Sequence, residues 1–85
     1  MDKMIIKNKI YNFFIEREGD DILDSIDNID FIDEGILDSL DFFSLAVFIE
    51  KEFGIKLKMT DEDTFKKMRK IETLIDLILQ LSLNS

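Results

Sequence analysis

The chain has neither cysteine nor histidine in its 85 residues. The first absence excludes a disulfide framework and a thiolate metal site. The second removes the usual general base, the usual activator of a serine nucleophile and the commonest zinc ligand. Proline is missing as well, and Gly19, Gly35 and Gly54 are the only glycines, so long helices joined by loops are the economical reading. No uninterrupted apolar stretch approaches the roughly 20 residues that a membrane span requires. The N-terminal run Met1-Asp2-Lys3-Met4-Ile5-Ile6-Lys7 is broken by charges and lacks a small-residue cleavage pattern, unlike a signal peptide. These absences predict a soluble, cytoplasmic protein stabilised by packing alone. A chain this short buries only about 60–65% of the surface it exposes when unfolded. Residues 1–85 are therefore read as one domain in which every helix contributes to one core.

What the chain has in quantity is acid. Nineteen Asp and Glu stand against eleven Lys and Arg, for a net charge of −8. That balance argues against nucleic acid and toward partners with basic surfaces, although an acid surplus also keeps a small domain soluble. Ile6, Ile10, Phe13 and Phe14 recur at helical spacing, with Asp2 as N-cap and Gly19 as stop, which predicts a first helix from Asp2 to about Glu18. Residues Asp20 to Leu37 are dense in Asp and carry no sustained helical period beyond a turn near Ile22 to Ile26. They are expected to form a long ordered loop anchored by Ile29, Phe31 and Ile32, and loops of that length are commonly functional. A second helix is predicted from Ser39 to Phe53, with Asp38 as N-cap, Asp41 three positions on in the manner of a capping box, and Gly54 as stop. Thr60 is expected to cap a short third helix starting near Asp61, with Phe65 and Met68 turned inward. A fourth, from about Ile71 to Leu81, places Ile71, Leu74, Ile75, Ile78 and Leu79 on one apolar face.

The most informative stretch is Asp33-Glu34-Gly35-Ile36-Leu37-Asp38-Ser39-Leu40, where the loop becomes the second helix. A serine at a helix start is exposed by geometry. A phosphodiester attached there meets unpaired backbone N–H groups and gains about 0.3–1 kcal/mol from the helix dipole. Asp38 and Ser39 also have a plainer use as helix caps. The Asp38-Ser39-Leu40 sequence resembles the attachment motif of the acyl carrier and peptidyl carrier superfamily. Phe31-Ile32-Asp33-Glu34-Gly35 looks like that family's loop before the motif, and Glu50-Lys51-Glu52-Phe53-Gly54-Ile55 like the end of its second helix. Asp61-Glu62-Asp63, followed by Ile71 and Leu74-Ile75-Asp76, resembles its third and fourth helices, so the likeness spans nearly the whole chain.

The resemblance implies an all-α, four-helix bundle of acyl-carrier type, with a short third helix packed across the other three and a long loop between helices one and two. It implies that Ser39 receives 4'-phosphopantetheine from coenzyme A through a phosphopantetheinyl transferase. The thiol of that arm would carry an acyl group as a thioester, which would account for a chain with no cysteine of its own. Asp38, Leu40 and Asp41 would flank the attachment point and serve partner recognition; Asp38 is equally suited to capping, and Leu40 to the core or its rim. The implied partners are an acyl- or aminoacyl-loading ligase or synthase and downstream acyl-transfer enzymes. The protein itself would be a monomer without catalytic activity.

The second helix is apolar around most of its circumference, through Leu40, Phe42, Phe43, Leu45, Ala46, Val47, Phe48, Ile49 and Phe53. In so small a bundle, some of these side chains are expected to meet partners or to line a space for an acyl chain. Fatty-acid carriers bear a line of acids here, whereas this chain has Ser44 and Lys51; Asp38, Asp41, Glu50 and Glu52 keep part of the acidic character, with Phe42 and Phe43 making the exposed edge more apolar. The form Gly35-Ile36-Leu37-Asp38-Ser39 also looks like that of stand-alone aminoacyl carriers, including D-alanyl and peptidyl carriers. Fatty acyl, polyketide and aminoacyl cargoes all remain open. Other classes fare worse. An EF-hand with Gly35 at its sixth position would put Ile32 where an oxygen ligand is required, and no metal site is expected. A serine hydrolase would lack its base. An unmodified helical adaptor stays open, and replacing Ser39 with Ala separates it from a carrier.

Overall fold

Asp2 begins the first helix by accepting the N–H of Met4 on its side chain at 2.9 Å. The computed structural model describes residues 2–83, so Met1, Asn84 and Ser85, although part of the one-domain reading, lie outside the described residues. Helix α1 (Lys3–Glu18) buries Ile6, Ile10 and Phe14, one residue per helical turn on a single stripe. Helix α2 (Ser39–Phe53) has the bounds predicted from the sequence. It ends where Gly54 adopts φ 64° and ψ 34° and returns its N–H to Glu50, a left-handed conformation that favours glycine. The two helices run antiparallel: Lys9 pairs with Glu52 at 3.7 Å, the Phe13 ring sits 5.1 Å from Phe48, and Arg17 binds Asp41.

Two elements are adjusted from the sequence reading. Helix α3 (Glu62–Lys67) is capped by Asp61 and not by Thr60; the Asp61 carboxylate accepts the Thr64 N–H at 3.3 Å and its hydroxyl at 2.9 Å. Thr60 stands one residue too early to reach the third residue of this helix. Helix α4 runs Ile71–Leu83, two residues beyond the expected end, and buries Leu77 besides Ile71, Leu74, Ile75 and Ile78. Phe65 is half-buried and Met68 fully buried, as their inward placement requires. Helix α4 packs on α1 and α3, while α3 meets α2 through Phe42 and Phe65, whose rings are 4.8 Å apart. The bundle is all-α, and among the described residues no helix is long and apolar enough to cross a membrane.

The segment between α1 and α2 is more regular than a loop. Asp20–Asp24 and Ile26–Asn28 form 3-10 turns, the second burying Ile26. Phe31 is fully buried with its ring 4.6 Å from Phe14, while Ile29 and Ile32 are half-buried against the same core. Short 3-10 turns leave no helical period in the sequence, yet they let a segment rich in aspartate insert one apolar side chain at a time.

Candidate functional site

The chain entering α2 is held by backbone hydrogen bonds. The Phe31 carbonyl accepts the N–H groups of Ile36 at 3.0 Å and Leu37 at 3.1 Å, closing a turn around Gly35. Gly35 has φ 70°, and a Cβ there would meet nothing within 4 Å, so its glycine serves backbone conformation and not space. One oxygen of Asp30 accepts the N–H of Ile32 at 2.9 Å and of Asp33 at 3.0 Å, fixing the start of the same turn.

Asp38 and Asp41 form a reciprocal capping box. Asp38 Oδ1 accepts the Asp41 N–H at 2.8 Å, and Asp41 Oδ2 accepts the Asp38 N–H at 3.3 Å. The Arg17 guanidinium, in the last turn of α1, donates to the other Asp41 oxygen. The Asp38 N–H, and after it the Arg17 guanidinium, hold the Asp41 carboxyl below its ordinary range even though partial desolvation pushes the other way. Burial pushes the Asp30 carboxyl up, but the N–H groups of Asp33 and Ile32 and the Arg69 guanidinium outweigh it, so it too titrates below the ordinary range.

Ser39 is the first residue of α2 and is exposed. Its hydroxyl takes no part in the cap, and no hydrogen bond joins it to any described residue. Beside it opens a pocket of about 490 Å³ lined by Ile32 and Gly35 from the approach to α2, Phe42 and Phe43 from α2, and Met59 and Phe65 from the chain after it. The site thus combines a free primary alcohol at the positive end of a helix with an apolar cleft. An alcohol so placed can carry a phosphodiester whose negative charge faces the first-turn N–H groups.

The residues singled out from the sequence fall together here, with different surroundings. Leu40 is 78% exposed, so it is neither core nor rim. Phe43 and Val47 follow it outward along α2, while Phe42, expected on the exposed edge, is buried and lines the pocket. That expectation fails because Phe42 lies on the same face as Leu45, Ala46 and Ile49, all buried. The acids of α2 are also more engaged than their sequence positions suggest: Glu50 accepts the Leu57 N–H at 2.8 Å and Glu52 pairs with Lys9. Sequence reasoning missed the chain's two arginines. Arg17 and Arg69 each bind carboxylates that flank the Ser39 segment, whereas every other cation is a lysine. Two forked cations in a chain otherwise built on Lys were the available signal.

The family described as "Phosphopantetheine attachment site" matches residues 8–78. The chain is also similar to a D-alanyl carrier protein of Bacillus pumilus (strain SAFR-032), 35% identical over 60 residues, covering 71% of this chain and 77% of the relative. No solved structure matches it significantly. The matched span contains the capped turn, the unengaged hydroxyl and the residues lining the pocket, features that fit an arm joined through a phosphodiester. The chain belongs to the phosphopantetheine attachment family of carrier proteins, whose prosthetic group is 4'-phosphopantetheine.

Proposed function

We propose that Ser39 is the attachment residue and that the chain is an aminoacyl carrier of the D-alanyl type. The observation that carries the first half is the division of labour at the start of α2. Asp38 and Asp41 satisfy the cap between them and leave the Ser39 hydroxyl exposed and uncommitted. Its Oγ would form a phosphodiester with the phosphorus that bears the pantetheine half of coenzyme A. The bond from that phosphorus to the nucleotide half would break, and the hydroxyl proton would pass to the transferase. Bound at Ser39, the group supplies the thiol on which a loading ligase builds a thioester. The chain's own residues present the arm from an exposed helix start, and residues 1–85 act as one such domain, a cytoplasmic monomer.

The similarity to the D-alanyl carrier protein supports the aminoacyl cargo. A second reading, a longer acyl chain from a fatty-acid or polyketide pathway, is favoured by the apolar pocket beside Ser39. The test is intact-mass spectrometry after incubation with coenzyme A, magnesium and a broad-specificity phosphopantetheinyl transferase, with Ser39→Ala in parallel. One phosphopantetheine on the wild type and none on the variant is the expected result. A folded wild type that gains no mass with several transferases would leave an unmodified adaptor. Offering the loaded protein D-alanine with a D-alanyl-activating ligase, and fatty acids with an acyl ligase, then separates the two cargoes.

A further inference from the structure

Arg69 lies in the turn between α3 and α4, and its side chain is only 27% exposed. Its Nε donates to Asp30, 3.0 Å from Oδ2 and 3.2 Å from Oδ1, and its Nη2 donates to Asp33 Oδ1 at 2.7 Å. Its backbone carbonyl accepts the Phe31 N–H at 2.8 Å. Both ends of the residue therefore grip one turn of the segment before α2. From Phe31 the contacts continue: its carbonyl holds the N–H groups of Ile36 and Leu37, and Leu37 leads directly into Asp38 and Ser39. The guanidinium also stands 6.0 Å from the Phe65 ring, which with Ile32 lines the pocket beside Ser39. The buried Phe31 ring already ties this segment to the core. What the fork adds is direction, since two-point binding fixes an angle that a single apolar anchor leaves free.

We infer that Arg69 is a positioning residue for modification of Ser39: by clasping Asp30 and Asp33 it holds the approach to α2 in the one geometry the transferase accepts. This rests on Ser39 being the attachment residue. If releasing the clasp leaves about a fifth of molecules in that geometry, the transferase KM for the carrier rises about fivefold while kcat stays near wild type.

The experiment compares Arg69→Gln, Arg69→Lys, Asp30→Asn and the double variant Asp30→Asn with Arg69→Gln. Asn at position 30 keeps Oδ1 for the Ile32 and Asp33 N–H groups and replaces Oδ2, 3.0 Å from Arg69 Nε, by an amide NH2, so that the charge and one acceptor of the clasp are lost while the turn keeps its own bonds. Ile75→Val, a core change on α4, serves as a control for general destabilisation. Two readouts are taken: KM and kcat for phosphopantetheine transfer followed by intact mass, and amide hydrogen exchange of Ile36 and Leu37 in the unmodified protein. The expected result is a KM rise shared by Arg69→Gln and Asp30→Asn, no larger in the double variant, not rescued by Lys, and accompanied by faster exchange at those two amides. Ile75→Val leaves KM unchanged. Wild-type KM in Arg69→Gln and Asp30→Asn, or an equal rise in Ile75→Val, overturns the role of Arg69 while Ser39 keeps its own. A wild type that takes no arm at Ser39 overturns both.

Discussion

Asp38 caps α2, and one pair of substitutions tests whether its charge is also read by a partner. Its carboxylate accepts the Asp41 N–H at 2.8 Å, and it also stands next to Ser39 as a charge that a partner can read. Asp38→Ala removes the side-chain half of the capping box but leaves the reciprocal bond, because the Asp38 backbone N–H still reaches Asp41. The loss is then one N-cap, about 1 kcal/mol. For a domain of this size, that lowers the melting temperature by about 4–8 °C. Asp38→Asn keeps a capping oxygen and gives up only the favourable placement of a charge at the helix start, about 0.3–1 kcal/mol. Thermal unfolding followed by circular dichroism, with transferase kinetics on the same samples, reads both effects. If the cap is all that Asp38 contributes, the Asn variant is loaded like the wild type and the Ala variant is slowed only near its melting temperature. If the charge is read, Asp38→Asn keeps most of its stability and loads poorly. An Ala variant that melts with the wild type would refute the energetic role assigned to the box.

Three further outcomes are expected. The depressed carboxyls of Asp30 and Asp41 bind their protons less readily in the folded than in the unfolded chain, so their stabilisation is complete above the ordinary value of 3.8 and is lost as pH falls through the lower folded values. Acid titration by circular dichroism checks this, and Arg69→Gln, by relaxing Asp30 toward its ordinary value, moves the acid midpoint up in pH. Phe31→Ala empties a fully buried site beside Phe14 and costs about 3–5 kcal/mol, a large share of the roughly 4–13 kcal/mol expected for the whole chain; urea unfolding measures it. On α2, Leu40, Phe43 and Val47 are exposed while Asp41, Glu50 and Glu52 are internally bound. Loading kinetics are therefore weakly salt-dependent, and Val47→Asp raises the KM of an enzyme that docks there.

Much of this was legible because the governing rules are local. The bounds of α2 follow from Asp38, Asp41 and Gly54, each acting within a few residues. The single stripe of α1 follows from the spacing of Ile6, Ile10 and Phe14. The misplaced cap of α3 is a one-residue competition between adjacent Thr60 and Asp61, which differ little in propensity and are decided by which carboxylate or hydroxyl reaches Thr64. What sequence did not show is long-range. Arg69 lies 39 residues from Asp30 and Arg17 lies 24 from Asp41, and no periodicity connects such pairs. The inward turn of Phe42 and the outward turn of Phe43 are likewise set by how α2 is rotated against α1 and α3, which an almost uniformly apolar helix does not reveal by itself.

The same distribution of contacts leaves one residue at the start of α2 available for the modification proposed at Ser39. A chain of this length has little stability to spare, and esterifying a serine that had been capping a helix would crowd the backbone N–H donor that its oxygen accepts. Here every bond that holds the start of α2 comes from a neighbour. Asp38 and Asp41 cap it, Arg17 ties Asp41 to α1, and the Phe31 carbonyl holds Ile36 and Leu37 on the approach. The Ser39 hydroxyl can therefore change from alcohol to phosphodiester without breaking any of them. Ser39→Ala, by the same reasoning, alters the melting temperature by no more than an ordinary surface substitution, about 0.5 kcal/mol in either direction. A clearly larger loss of stability would mean that the hydroxyl supports the fold after all, and that modification must reorganise the helix start.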